Sequence, residues 1–153
     1  MQERIAVLFH LVGFAAFVGA AFAQQEFMKR SARAGLAPAI RDEYERLAAT
    51  ISAKIETPAL FLQIAVGAFM LLHNTAYLKQ PWMHAKLTAV FLLLGLAHAE
   101  MANAKKLVKA RAERGDAAAE EIAGRKAKHA KMGAVGTVLV IGVIVLAVLR
   151  PGG

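Results

Sequence analysis

Cysteine is missing from the 153 residues. Disulfides, thiolate metal sites and a cysteine nucleophile are therefore excluded. Charge is missing from four long stretches. Ile5 to Ala23 runs nineteen residues with one polar interruption, His10, and Met132 to Leu149 runs eighteen with no charge and a single threonine. Ala59 to Leu72 is apolar except for Gln63, and Leu87 to Ala97 is apolar except for Thr88. Catalytic signatures are missing too. The chain has no HExxH pair, no glycine-rich phosphate cradle and no arrangement suggesting a nucleophile triad. No internal repeat is evident. The apolar share of 58% excludes a disordered chain.

What is present is membrane-like. A helix crosses the hydrocarbon with about 20 apolar residues, within a range of about 17–25. The first and fourth stretches meet that length outright, and the second and third meet it with their flanks. A soluble bundle would place polar residues on every turn of each helix, and these stretches are apolar all round. The sequence predicts one all-α domain over 1–153, an integral membrane four-helix bundle embedded in a lipid bilayer. Its spans lie at about 5–23, 58–78, 82–102 and 132–149, joined on one side by helical connections at about 24–57 and 103–131. The first stretch also has features of a cleavable signal, with Ala-Phe-Ala at 21–23. Its length and its histidine favour a retained span.

The basic residues sort by side. Six lie in 24–57 and nine in 103–131, against four elsewhere (Arg4, Lys79, Lys86 and Arg150). The positive-inside rule puts the two connections in the cytoplasm and both termini outside. Trp82 and Tyr77 then mark the outer boundary. The net charge of +8 thus orients the chain. Nucleic-acid binding is disfavoured, because the cations are interleaved with acids and lack aromatic neighbours.

The cytoplasmic side is expected to be structured. Residues 103–114 are strong helix formers, Gly115 stops that helix, and Asp116 is placed to cap the next. Spans three and four then become arms of about 33 residues each, roughly 50 Å long, reaching roughly 15–20 Å past the hydrocarbon. Ile40, Tyr44, Leu47, Ile51 and Ile55 repeat at helical spacing. This stripe suits either a membrane-surface helix or an extension packed on the 103–131 hairpin. Thr57-Pro58 should kink the start of span two.

Candidate chemistry rests on five histidines. His10, His73 and His84 fall at the outer end, His98 and His129 at the inner. Neutral imidazole ligates haem iron or other metals, and polar groups at membrane depth are functional candidates by default. Lys86 either snorkels past Trp82 or faces a buried acidic ligand. Met70 and Met83 share the depth of His73 and His84, and thioether with imidazole suits copper. Glu100 either tunes His98 or, more simply, pairs with Lys105 or Lys106 at the interface.

His10 with Phe17 and Gly19, Thr57-Pro58-Ala59-Leu60, and Trp82-Met83-His84-Ala85-Lys86-Leu87 together resemble the HemJ-type protoporphyrinogen IX oxidases. They also resemble the related membrane domain of CopD copper-resistance proteins. The first resemblance implies a bacterial-type inner-membrane oxidoreductase holding haem b. His10 would be the axial ligand, His84 and His98 further cofactor ligands, and Lys86 the catalytic contact to a porphyrin carboxylate. The second implies copper transport through His10, His73, Met70 and Met83. A non-catalytic assembly subunit, docking a partner or another copy of itself at the cytoplasmic hairpin, is a third reading of the same sequence.

Overall fold

The computed structural model describes residues 2–151. Five α-helices account for most of them: α1 (Gln2–Arg30), α2 (Pro38–Ile51), α3 (Thr57–His73), α4 (Pro81–Arg114) and α5 (Ala119–Leu149). Three continuous helical stretches are long and apolar enough to cross a membrane: Glu3–Arg30, Pro38–His73 and Pro81–Leu149. The last is a hairpin. Gly115, with φ of +53°, opens a single 3₁₀ turn over Gly115–Ala118 that reverses the chain. Glycine is suited to such a φ because it has no Cβ to clash. The arms run antiparallel: Asn103 donates to the Arg125 carbonyl at 2.9 Å, and Leu96 lies against Gly136.

The turn differs from expectation in one detail. Asp116 does not cap α5. Its carboxylate lies 3.7 Å from Arg41 and 3.8 Å from Arg111, a pair of cations that outcompetes two backbone amides.

α2 and α3 form one continuous stretch through a π-helical turn at Ser52–Glu56. Pro58 cannot donate a backbone hydrogen bond. The neighbouring Thr57 N–H reaches back to the Ser52 carbonyl, and the Thr57 hydroxyl donates to the same oxygen at 2.8 Å. The expected kink is thus absorbed as one widened turn.

Two apolar cores are stacked along the molecule. One, at the end rich in basic residues, joins Met28, Ala48, Leu107, Ala118 and Ile122. The other, toward the apolar end, joins Phe17, Leu60, Leu93, Ala97 and Val143. Around the second core the outer faces carry large exposed apolar side chains such as Phe91, Val138 and Leu72. These surfaces suit lipid rather than water.

α2 packs on the hairpin, but not through its isoleucine stripe. Glu45, Ala48, Ser52 and Glu56 form the buried face, while Ile40 and Ile55 are exposed. From the stripe, Tyr44, Leu47 and Ile51 are half-buried, and Tyr44 stacks on Phe27 at 5.8 Å. The charged partners waiting on α4 and α5 decide the rotation of α2, because leaving them unpaired would cost more than exposing two isoleucines.

Candidate functional site

Three polar constellations follow from this arrangement. The first surrounds His10. Its Nδ1 lies 3.1 Å from the Gln63 carbonyl, and a carbonyl only accepts, so Nδ1 carries the proton. Nε2 of the neutral ring is thereby left with a free lone pair. The ring edge rests on Gly67, where an added Cβ would come within 3.1 Å of Cε1. Gly67 therefore makes room for the imidazole. Lys86 on α4 lies within electrostatic reach of the ring and is itself half-buried. A shallow apolar groove of about 500 Å³ lies between α1 and α3, lined by Ile5, Phe9, Val66 and Phe69; neither His10 nor Lys86 is among its lining residues.

The other outer histidines are engaged elsewhere. His73 is exposed, turned back on the Phe69 carbonyl of its own helix at 3.1 Å, and its ring lies 4.2 Å from that of Phe69. His84 is exposed and donates from Nε2 to the Leu78 carbonyl at 2.8 Å. His98 is exposed, with its ring edge-on to Phe61. Met70 and Met83 are half-buried. No group of three His, Asp or Glu side chains suited to a metal occurs among the described residues. Trp82, expected at a boundary, is buried beneath Tyr77 and Arg150, whose guanidinium lies 5.8 Å from the ring centre.

The second constellation is a polar layer between the two cores. His129 and Gln24 are fully buried, and His129 Nε2 donates to Gln24 Oε1 at 2.6 Å. Gln24 Nε2 donates in turn to Glu100 Oε2 at 3.1 Å, and Gln25 Nε2 donates to Glu100 Oε1 at 2.8 Å. Gly133 makes room for Gln25, since a Cβ there would run into its amide. Glu56, on the π-helical turn, lines the same cleft as Glu100. Among the described residues, three buried atoms of the layer find no hydrogen-bond partner: Ser52 Oγ, Glu56 Oε2 and His129 Nδ1. A cleft of about 800 Å³ between α1, α4 and α5 reaches Glu56, Glu100 and Gln25.

Sequence reasoning missed most of this layer. Glu100 pairs with neither Lys105 nor Lys106, because Gln24 and Gln25 occupy both of its oxygens. His129 is enclosed rather than wet. The one readable signal was a Gln-Gln pair ending an apolar span, at the depth of a glutamate on another.

The third constellation is an ion-pair cluster at the basic end. Glu45, 1% exposed, takes Arg111 Nε at 3.2 Å and Nη2 at 3.0 Å, and Lys126 Nζ at 2.7 Å. Lys126 also donates to the Ser31 carbonyl at 2.9 Å. Burial pushes the Glu45 carboxyl up, but the hydrogen bonds from Arg111 and Lys126 outweigh it and hold the group below the ordinary carboxylate range. Hydrogen bonding to Glu45 holds the Arg111 guanidinium correspondingly high.

Comparison with known proteins agrees with the membrane character of the fold. The family described as "Predicted integral membrane protein (DUF2269)" matches residues 4–151. No curated protein and no solved structure matches. With its long apolar helices and a match over nearly its whole length, the chain belongs to the DUF2269 family of integral membrane proteins.

Proposed function

We propose that the protein crosses the membrane four times, through α1, α3 and the two arms of the α4–α5 hairpin, with its basic end in the cytoplasm. The split of basic residues, fifteen against four, supports this orientation. Within that frame the protein is a haem-associated inner-membrane redox protein resembling the protoporphyrinogen oxidases.

One observation carries the reading: the Gln63 carbonyl fixes the His10 tautomer and leaves Nε2 free. Metal-ligating histidines characteristically donate their second ring N–H in this way, which orients the ring and raises its basicity. The residues present therefore fit a histidine that would hold haem iron. Gln63 holds the ring, Gly67 gives it space, and Lys86 supplies positive charge for a porphyrin carboxylate. The apolar groove beside α1 and α3 suits a flat apolar macrocycle. Haem, when bound, supplies a one-electron redox centre. The copper-transport alternative draws less support, because the His73 ring is turned back on its own helix.

The test is an absorption spectrum of the full chain in detergent, as purified and after loading with haem b. A Soret band is expected, strongly weakened in His10→Ala while helicity by circular dichroism is kept. A folded protein without a Soret band after loading overturns the reading. Metal analysis of the same sample decides the copper alternative.

A further inference from the structure

The polar layer does not belong to the His10 site. It contains two carboxyl groups, Glu56 and Glu100, both nearly enclosed. No salt bridge to either occurs among the described residues, although the same structure pairs Glu45 with two cations. The groups facing the pair are known from each element. α1 contributes Gln24 and Gln25, the π turn contributes Ser52, α4 contributes Glu100 itself, and α5 contributes His129 through Gln24. Five cations line the same cleft: Arg41, Arg111 and Lys126 are committed to Asp42, Asp116 and Glu45 at the basic end, and Lys29 and Arg33, at and just past the end of α1, make no ion pair with Glu56 or Glu100 among the described residues.

Two carboxylates sharing a low-dielectric site without a cation cannot both stay charged. The hydrogen bonds say which way the pair resolves. Both oxygens of Glu100 accept an amide N–H, an arrangement that favours its anionic form. Glu56 Oε2 has no partner, is buried, and belongs to a residue lining the cleft. That oxygen has room for a hydrogen and a path for its exchange. The pair titrates as a coupled unit, and its single proton rests on Glu56. His129 reinforces the direction: its protonated Nε2 feeds the chain of donors toward Glu100, and its bare Nδ1 is a second acceptor.

We propose that Glu56 and Glu100 form a proton-holding site between the two cores, which keeps one proton at neutral pH and exchanges it through the cleft with the basic side. The ligand is the proton, and the site's place at the basic-side ends of the spans suits a relay for proton release or uptake. The widened turn at Ser52–Glu56 is what brings Glu56 there, in keeping with the frequent appearance of π-bulges at functional sites. The proposal does not depend on haem, so the two fail separately.

The test is infrared difference spectroscopy on the full chain in lipid nanodiscs, titrated from acid to alkaline pH. A protonated-carboxyl band is expected at neutral pH that disappears on alkaline titration and shifts promptly in heavy water. Glu56→Gln should remove the neutral-pH band. Glu100→Gln should move its midpoint down by about one pH unit or more, because the neighbouring negative charge is gone. Glu113→Gln, on the exposed hairpin, should leave it unchanged. A folded wild-type protein with no such band at neutral pH overturns the proposal whether or not the variants fold. A band that survives Glu56→Gln, or one that ignores heavy water, overturns it as well.

Discussion

Glu45 and Glu56 lie about three turns apart on the same buried face, and each is 1% exposed. The chain treats them in opposite ways. Glu45 is clamped by Arg111 and Lys126 in a three-way cluster. Glu56 has no cation and keeps an unpartnered oxygen. A buried charge that is fully paired contributes to a unique arrangement of its neighbours. A buried acid left unpaired is destabilising and persists where it is used. The contrast separates a structural device at the basic end from a chemical one at the polar layer.

The largest way to break that comparison is to remove the paired acid. Glu45→Ala leaves Lys126 without a carboxylate in a nearly buried site and Arg111 with only the more exposed Asp42 and Asp116, and should cost about 3–5 kcal/mol, read as a fall in the thermal midpoint of helicity in detergent. Acid should reach part of the same loss. Because the native Glu45 carboxyl is held below its ordinary value, its stabilising effect is complete above the ordinary carboxylate range and fades as pH falls through the lowered one. The thermal midpoint of the wild type should therefore drop on acidification below about pH 4, and Glu45→Gln should flatten that drop.

Next in size is a comparison of the two cores. Leu107→Ala, in the basic-end core, should cost about 2–5 kcal/mol. Leu60→Ala, equally enclosed in the apolar-end core, should cost about half as much. In lipid the unfolded helix leaves that side chain in hydrocarbon, so only packing is lost. Equal losses at both sites would place both cores in water.

Gly133→Ala probes the polar layer more gently. The new methyl displaces the Gln25 amide from Glu100, with an expected loss of about 1–2 kcal/mol. Smallest of all is Glu43→Ala, which breaks an exposed pair with Arg46 and should change stability by no more than about 0.5 kcal/mol.

The sequence shows the parts of the fold that depend on periodicity and punctuation. The apolar stretches lie on long helices, and the hairpin turns at Gly115 with arms within two residues of those expected. Thr57-Pro58 marks the disturbed turn, although its π form depends on the Thr57 and Ser52 pairing that only coordinates reveal. The stripe of isoleucines misleads because it is local, whereas the rotation of α2 is set by Arg111 and Lys126, far along the chain. The same limit hides the polar layer. Gln24, Glu56, Glu100 and His129 come from four separate segments, and each alone looks like an interfacial residue. His10 was readable at once because it stands alone in an apolar run. Its bond to Gln63 was not, since that bond joins two spans.

The Gly115 reversal also bears on how such a chain is made. Residues 103–131 place nine basic side chains around the tip of two long arms. Dragging that tip through hydrocarbon would require desolvating a whole cluster of cations, so the tip stays where it is synthesised. Under the proposed four crossings, α4 and α5 would enter the bilayer as one hairpin, held by the Asn103–Arg125 and Leu96–Gly136 contacts.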